Sequence, residues 1–208
     1  MPPTITPTTN GPYRVDGLER LRNSRDEELA VRETVYLCRC GGSQRKPFCD
    51  GTHKKIGFRG RRETRRQIER RRAYVGREVT ITDNRSICAH AGFCTSELRA
   101  VFQSRRKPWI TPDEADVEAI AATILKCPSG ALGYEIDGIP FGDQERAPTI
   151  AVSKDGPYYI TGGVELLHAT GLRGPSLEHF ALCRCGQSKN KPFCDGTHWT
   201  IGFSDPRN

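Results

Sequence analysis

The 208-residue sequence predicts an α+β protein in which two small β-rich modules flank an α+β insert. Three observations predict this. CRCGGSQRKPFCDGTH at 38–53 returns as CRCGQSKNKPFCDGTH at 183–198. The match extends beyond the cysteines without a gap: Gly11-Pro12-Tyr13 recurs as Gly156-Pro157-Tyr158, Gly17 as Gly162, Leu21 as Leu166, Leu37 as Leu182, and Ile56-Gly57-Phe58 as Ile201-Gly202-Phe203. The stretch between the copies has its own pattern, with three further cysteines and a helical apolar stripe. Two copies are too few for a solenoid and read as a duplicated module. The boundaries follow: a module at 1–58, an arginine-rich connector at 59–77, the insert at 78–145 and a second module at 146–208.

In the modules, Tyr13–Val15 and Tyr158–Thr161 follow Gly-Pro turns and read as short strands. Thr34–Leu37 and Phe180–Leu182 read as strands that deliver the first cysteines of each motif. Units this small bury little apolar surface and need a staple, often a metal. In the insert, Glu78–Thr82 alternates as a strand, and Ser96–Gln103 reads as a helix with Leu98, Val101 and Phe102 inward. Thr111-Pro112-Asp113-Glu114 has the form of a capping box with proline at N1. Val117, Ile120, Ala121, Ile124 and Leu125 supply the stripe of a helix ending at Cys127, and Ala131–Ile136 returns as a strand.

Composition bounds the chemistry. No apolar run approaches the roughly 18 residues of a membrane span; the best, Ala119–Leu125, is part of the helix above. The start MPPTITPTTN lacks the basic and apolar regions of a secretory signal, so the expected compartment is the reducing cytoplasm. There, nine closely spaced cysteines point to metal rather than disulfides. The net charge of +7 resides in Arg59–Arg77, where nine arginines stand against two glutamates. A chain otherwise neutral is not expected to bind nucleic acid. The connector reads as a solvated linker or, alternatively, a docking surface for an acidic redox partner.

The repeated donors are Cys38, Cys40, Cys49 and His53, then Cys183, Cys185, Cys194 and His198, spaced C-x-C-x8-C-x3-H. Thiolate and imidazole suit both zinc and iron–sulfur clusters. A C-x-C pair is tight for a shared zinc tetrahedron. It fits better if Cys38 and Cys40 hold one iron while Cys49 and His53 hold a second. The full pattern, including Ser43, Pro47 and Asp50-Gly51-Thr52 and their counterparts Ser188, Pro192 and Asp195-Gly196-Thr197, resembles the signature of the CDGSH iron–sulfur (NEET) family, with Thr for Ser before the histidine. The resemblance covers 11–58 and 156–203. It implies one [2Fe–2S] cluster per module held by three Cys and one His, and two modules paired through their strands. This chain carries both halves, so it is expected to form an intramolecular pseudo-two-fold pair as a monomer.

Around the donors, Asp50 and Asp195 are placed to cap free N–H groups of a short helix. Gly51 and Gly196 are expected to let backbone approach the cluster, and Pro47 and Pro192 to stiffen the loop. Lys46 and Lys191 either tune an anionic cluster or are solvated loop lysines. One imidazole ligand, unlike thiolate, can take a proton near neutral pH, which makes reduction and cluster release sensitive to pH.

In the insert, Cys88 and Cys94 are the outer positions of a C-x2-C-x2-C run whose middle is Ala91, and Cys127-Pro128 follows. Bacterial ferredoxins use such a run with a distant Cys-Pro. The segment at about 74–136 resembles divergent single-cluster ferredoxin-like domains. That implies a third, [3Fe–4S] or [4Fe–4S], cluster on Cys88, Cys94 and Cys127, with His90 or water as a fourth ligand, or His90 as a nearby hydrogen-bond donor. His168 and His179 lie outside the motifs and read as ordinary surface or packing residues. No nucleophile–base pair stands out, so the expected function is electron transfer with redox partner proteins rather than catalysis. The alternatives are cluster storage, delivery to apo iron–sulfur proteins or redox sensing, and a zinc-stabilised binding module.

Overall fold

The computed structural model describes residues 2–61, 71–168 and 176–208; residues 62–70 of the arginine-rich connector lie outside them. The first module holds β1 (Thr4–Pro7), β2 (Tyr13–Asp16), β3 (Arg20–Arg22), β4 (Thr34–Leu37) and one helical turn, α1 (Thr52–Lys55). The insert holds β5 (Arg72–Val75), β6 (Thr80–Asp83), α2 (Phe93–Glu97), α3 (Val117–Ile124), β7 (Leu132–Ile136) and β8 (Ile139–Phe141). The second module repeats the first as β9 (Thr149–Val152), β10 (Tyr158–Thr161), β11 (Glu165–Leu166), β12 (Phe180–Leu182) and α4 (Thr197–Thr200).

The modules exchange strands. One sheet runs β11-β1-β2-β4 and the other β12-β10-β9-β3, so each takes its last strand from the other module. The exchanged strands pair in parallel with equivalent partners: Ile5 opposes Leu166, and Leu21 opposes Ile150. The crossing starts at Gly17 and Gly162, both at positive φ, where the chain leaves β2 or β10 after its last paired residue. Alternation along β2 puts Tyr13 and Val15 inward, and β10 does the same with Tyr158 and Ile160. These residues, with Leu21, Leu37, Leu166, Leu182 and Phe193, make one core shared by both modules. Neither copy buries its apolar face alone, and the expected pseudo-two-fold pair is realised as a single folding unit.

The insert forms a third sheet, β5-β6-β7-β8, packed on α3 around Ile81, Phe102, Ile110, Ile120 and Ile124. Several sequence expectations shift here. Arg72–Val75, assigned to the connector by composition, is the edge strand opposite β6. The helix expected at 96–103 is α2, earlier and shorter; Leu98 leaves helical geometry, although Val101 and Phe102 are buried as expected. Thr111 does not cap. Its Oγ1 donates to the carbonyls of Ala100 and Val101, and Pro112–Glu114 forms a separate 3-10 turn. Extended Ala115 breaks that turn, and Asp116 caps α3 by accepting from the Ala119 N–H at 2.7 Å. Among the described residues, no helix is long and apolar enough to cross a membrane.

Candidate metal centres

In each module β4 or β12 delivers the first cysteine to a folded-back loop. The Cys38 N–H donates to the Pro47 carbonyl at 2.7 Å and the Cys49 N–H to the Tyr36 carbonyl at 2.8 Å; Cys183 and Cys194 repeat this with Pro192 and Ala181. Ser43 and Ser188 close the loop by donating to the carbonyls of Phe48 and Phe193, both at 2.7 Å. The aspartates cap from two residues ahead of the helical turn, just before the glycines. Asp50 accepts from the N–H groups of Gln44 and Thr52, and Asp195 from those of Lys189 and Thr197. The Thr52 hydroxyl, and then those N–H bonds, hold the Asp50 carboxyl well below the usual carboxylate range. Gly51 and Gly196 take positive φ, 86° and 83°, and a Cβ at Gly196 would in addition stand 2.9 Å from the His90 ring. Lys46 and Lys191 donate to the carbonyls of Ser43 and Ser188, so each ammonium ties its own loop.

The donors gather in pairs. Cys38 and Cys40 sulfurs are 3.8 Å apart, and Cys49 Sγ is 3.3 Å from His53 Nδ1. The second module gives 3.8 Å for Cys183 and Cys185, and 3.4 Å for Cys194 and His198. Two thiolates on one tetrahedral metal at about 2.3 Å would stand about 3.8 Å apart. Among the described residues, no three of these cysteine and histidine donors converge within 4.8 Å. Each set therefore matches two metals with two ligands each.

The electrostatics fit thiolates awaiting a cation. The hydrogen bond between the two thiols draws Cys38 down to about 6 and pushes Cys40 up. The second pair shares a proton in the opposite sense, Cys183 held up and Cys185 lowered. Burial pushes Cys194 well up. Burial also lowers His198 to about 4, aided by the His90 ring and the Arg184 guanidinium, so its imidazole is neutral, the form that binds metal.

Sequence reasoning passed over the residue between the paired cysteines. Arg39 and Arg184 are buried under the loops and lie over Tyr13 and Tyr158. Arg184 pairs with Asp205 and donates to the Gly156 carbonyl, whereas Arg39 donates to the carbonyls of Thr8 and Gly60. The available signal was the repetition of this arginine in both motifs.

In the insert, Cys88, Cys94 and Cys127 line one cavity together with Asp83, Arg85 and Trp109. Cys88 ends a 3-10 turn, Cys94 lies in α2, and Cys127 follows α3, where its N–H bonds the Ile124 carbonyl. Ala91 also borders this cavity, at the place of the missing thiol. Burial raises Cys88, and raises Cys94 to about 11. His90 lines the cavity, while its ring packs at Gly196 of the second module. Of the two readings for His179, surface or packing, the structure gives packing. It is buried between Glu178 and Asp143, and Arg146 takes both Glu178 oxygens, which ties the module to the end of the insert.

Cysteine-rich loops of this geometry define an iron–sulfur cluster-binding protein. Residues 10–54 and 155–199 match the model of the iron-binding zinc finger of CDGSH type, and residues 74–137 match that of the divergent 4Fe–4S mono-cluster domain. The chain thus carries two CDGSH-type domains with a divergent mono-cluster domain set between them. The uncharacterized protein YjdI of Escherichia coli K12 is 44% identical over 63 residues, which is 30% of this chain and 83% of YjdI. YjdI of Escherichia coli O157:H7 matches to the same extent.

Proposed function

We propose that the chain is a one-electron carrier with three centres: a [2Fe–2S] cluster on Cys38, Cys40, Cys49 and His53, a second on Cys183, Cys185, Cys194 and His198, and a [3Fe–4S] or [4Fe–4S] cluster on Cys88, Cys94 and Cys127. The observation that carries this reading is the pairing of donors. Sulfur–sulfur gaps of 3.8 Å and sulfur–nitrogen gaps of 3.3–3.4 Å occur without any three donors meeting within 4.8 Å. A single zinc tetrahedron needs all four ligands within about 4 Å of one another, so the zinc-module alternative loses its support. When bound, such clusters supply reversible one-electron chemistry. The residues set the rest. The loop hydrogen bonds orient the thiolates, burial excludes water, and the imidazoles offer a neutral ligand that acid can remove.

The partners in this reading are redox proteins, and the internal pair makes the chain a monomer. Delivery of a cluster to an apo iron–sulfur protein is a second reading, supported by the half-buried positions of Cys49 and His53. The test is iron and acid-labile sulfide quantitation with EPR of oxidised and reduced protein. About seven or eight irons per chain, with a reduced [2Fe–2S] signal, are expected. Stoichiometric zinc without labile sulfide would overturn the reading.

A further inference from the structure

The two copies of the motif agree at every donor but differ on the surface around it. Arg14, Tyr36, Arg45, Lys54 and Lys55 of the first module correspond to Tyr159, Ala181, Asn190, Trp199 and Thr200 of the second. Of these, Tyr159, Ala181, Asn190 and Trp199 lie where the insert touches the second module. Ala89 is buried against Ala181, Cys194 and Tyr159. Asn190 Nδ2 donates to the Ser86 carbonyl at 2.8 Å, and Trp199 Nε1 donates to the His90 carbonyl at 3.2 Å. A Cβ at Gly196 would stand 2.9 Å from the His90 ring.

At the first module the same positions face solvent. Tyr36 is 47% exposed, and Arg14, Arg45, Lys54 and Lys55 are exposed. The tyrosine ring standing in place of Ala181 would fill the space the insert uses. Arg207 reaches the rim through the Gln44 carbonyl at 2.7 Å, yet Cys49 and His53 stay half-buried. Cys194 and His198, by contrast, are 2% and 6% exposed.

The loops also abut in a fixed order. A Cβ at Gly41 would lie 2.6 Å from the Cys185 carbonyl oxygen, and one at Gly186 2.6 Å from that of Cys40. The second loop therefore touches the first on one side and, through Ala89, the Cys88 loop on the other.

Resting on the cluster reading above, we infer that the insert makes the copies unequal in use: the Cys38–His53 site is the partner-facing site, and the Cys183–His198 site is a shielded relay between it and the Cys88–Cys94–Cys127 cavity. The cationic rim of the open site, Arg45, Lys54 and Lys55, fits an acidic one-electron redox protein; Arg14 beside it is paired with Asp16. In each encounter that partner loses or gains one electron, this chain gains or loses one, and no atom is transferred.

The test is anaerobic alkylation of holoprotein with iodoacetamide in the presence of an iron chelator, read cysteine by cysteine from peptide masses. Cys49 is expected to label at least about tenfold faster than Cys194, because exposure of the second site requires the insert to open. Ala89→Arg is expected to raise Cys194 labelling about tenfold and leave Cys49 unchanged. Equal labelling in the wild type, or Cys194 first, overturns the inference. So does an iron-replete Ala89→Arg protein with unchanged Cys194 labelling. If Ala89→Arg loses its iron, Asn190→Arg takes its place. The acidic-partner assignment is read separately: reduction by a small acidic reduced ferredoxin, used as probe, should slow at least about tenfold in Lys54→Glu/Lys55→Glu, and an unchanged rate overturns that assignment. Iron and sulfide content measured beforehand reports on the cluster reading alone, so its failure is distinct from failure of the labelling ratio.

Discussion

Tyr13 and Tyr158 hold each other's modules. The Tyr13 hydroxyl donates to the carbonyls of Cys183 and Pro192 at 2.9 and 3.0 Å, and the Tyr158 hydroxyl to those of Cys38 and Pro47 at 2.8 and 3.1 Å. Their rings meet edge to face, 6.0 Å apart. Each module's cysteine loop is thus anchored from the other side of the pseudo-two-fold. Tyr13→Phe and Tyr158→Phe should each cost about 1–2 kcal/mol, since buried carbonyls lose a donor. Urea denaturation of both singles and the double measures this; a loss under about 0.3 kcal/mol in both singles would refute the anchoring role.

Gly41→Ala tests the contact between the loops. Gly41 has φ +76°, and its new Cβ would meet backbone of Cys185, which cannot swing away. A loss of at least about 2 kcal/mol is expected from strain and clash together. Gly51→Ala, with φ +86° but open space, should cost only about 1 kcal/mol. Thermal melts of the pair decide whether contact or backbone strain dominates.

Arg184 is fully buried and its charge is met by Asp205. Asp205→Asn leaves that cation uncompensated and should destabilise by about 3–5 kcal/mol. The first module has Gly60 where the second has Asp205, and Arg39 relies on carbonyls and aromatic rings. A Cβ at Gly60 would stand 2.6 Å from Arg39 Nη1, so Gly60→Asp is expected to push the buried guanidinium off its carbonyls and to destabilise in the same denaturation assay.

Asp83 gives the pH prediction. It is 3% exposed, its Oδ1 has no hydrogen-bond partner among the described residues, and burial raises its carboxyl to about 6 despite nearby Arg85. The folded chain therefore binds this proton more tightly than the unfolded chain, whose carboxyl titrates near about 4. Its contribution is full below about pH 4 and is lost as pH rises through about 6. Asp83→Asn should be more stable than wild type by about 1–3 kcal/mol at pH 7.5, and the two should converge near pH 4. Unfolding curves from pH 4 to 8 that run parallel would contradict this.

His53→Cys tests the imidazole ligand of the open site. Thiolate carries fixed charge whereas imidazole can accept a proton, so the variant's potential at that centre should vary less with pH than the wild type's. Potentiometry between pH 6 and 9 reads the slopes, and equal slopes would argue against a His53 ligand.

Much of the site was legible because metal donors obey spacing. Cysteines two apart and a Cys–His pair four apart lie close on a short chain, so the four donor pairs were readable from positions alone. Asp50 and Asp195 were readable as caps for the same local reason. Arg72–Val75 was misassigned because its charge resembles a linker, while its partner strand sits eight residues on and shows only in the ladder. Thr111 looked like a cap because extended Ala115 has no local signature.

Thus the order of residues by itself determined the two repeated cysteine loops and the small strands that carry them, since these depend on contacts a few residues apart, whereas Cys127 meets Cys88 and Cys94 in one cavity only through the fold. Tertiary structure alone decided that β3 and β11 change modules, that Tyr13 and Tyr158 reach across, and that one loop is sealed while its twin stays open. The physical reason is burial: Ala181 and Asn190 differ from Tyr36 and Arg45 only as side chains until the insert packs on one set, and that packing depends on residues about a hundred positions away.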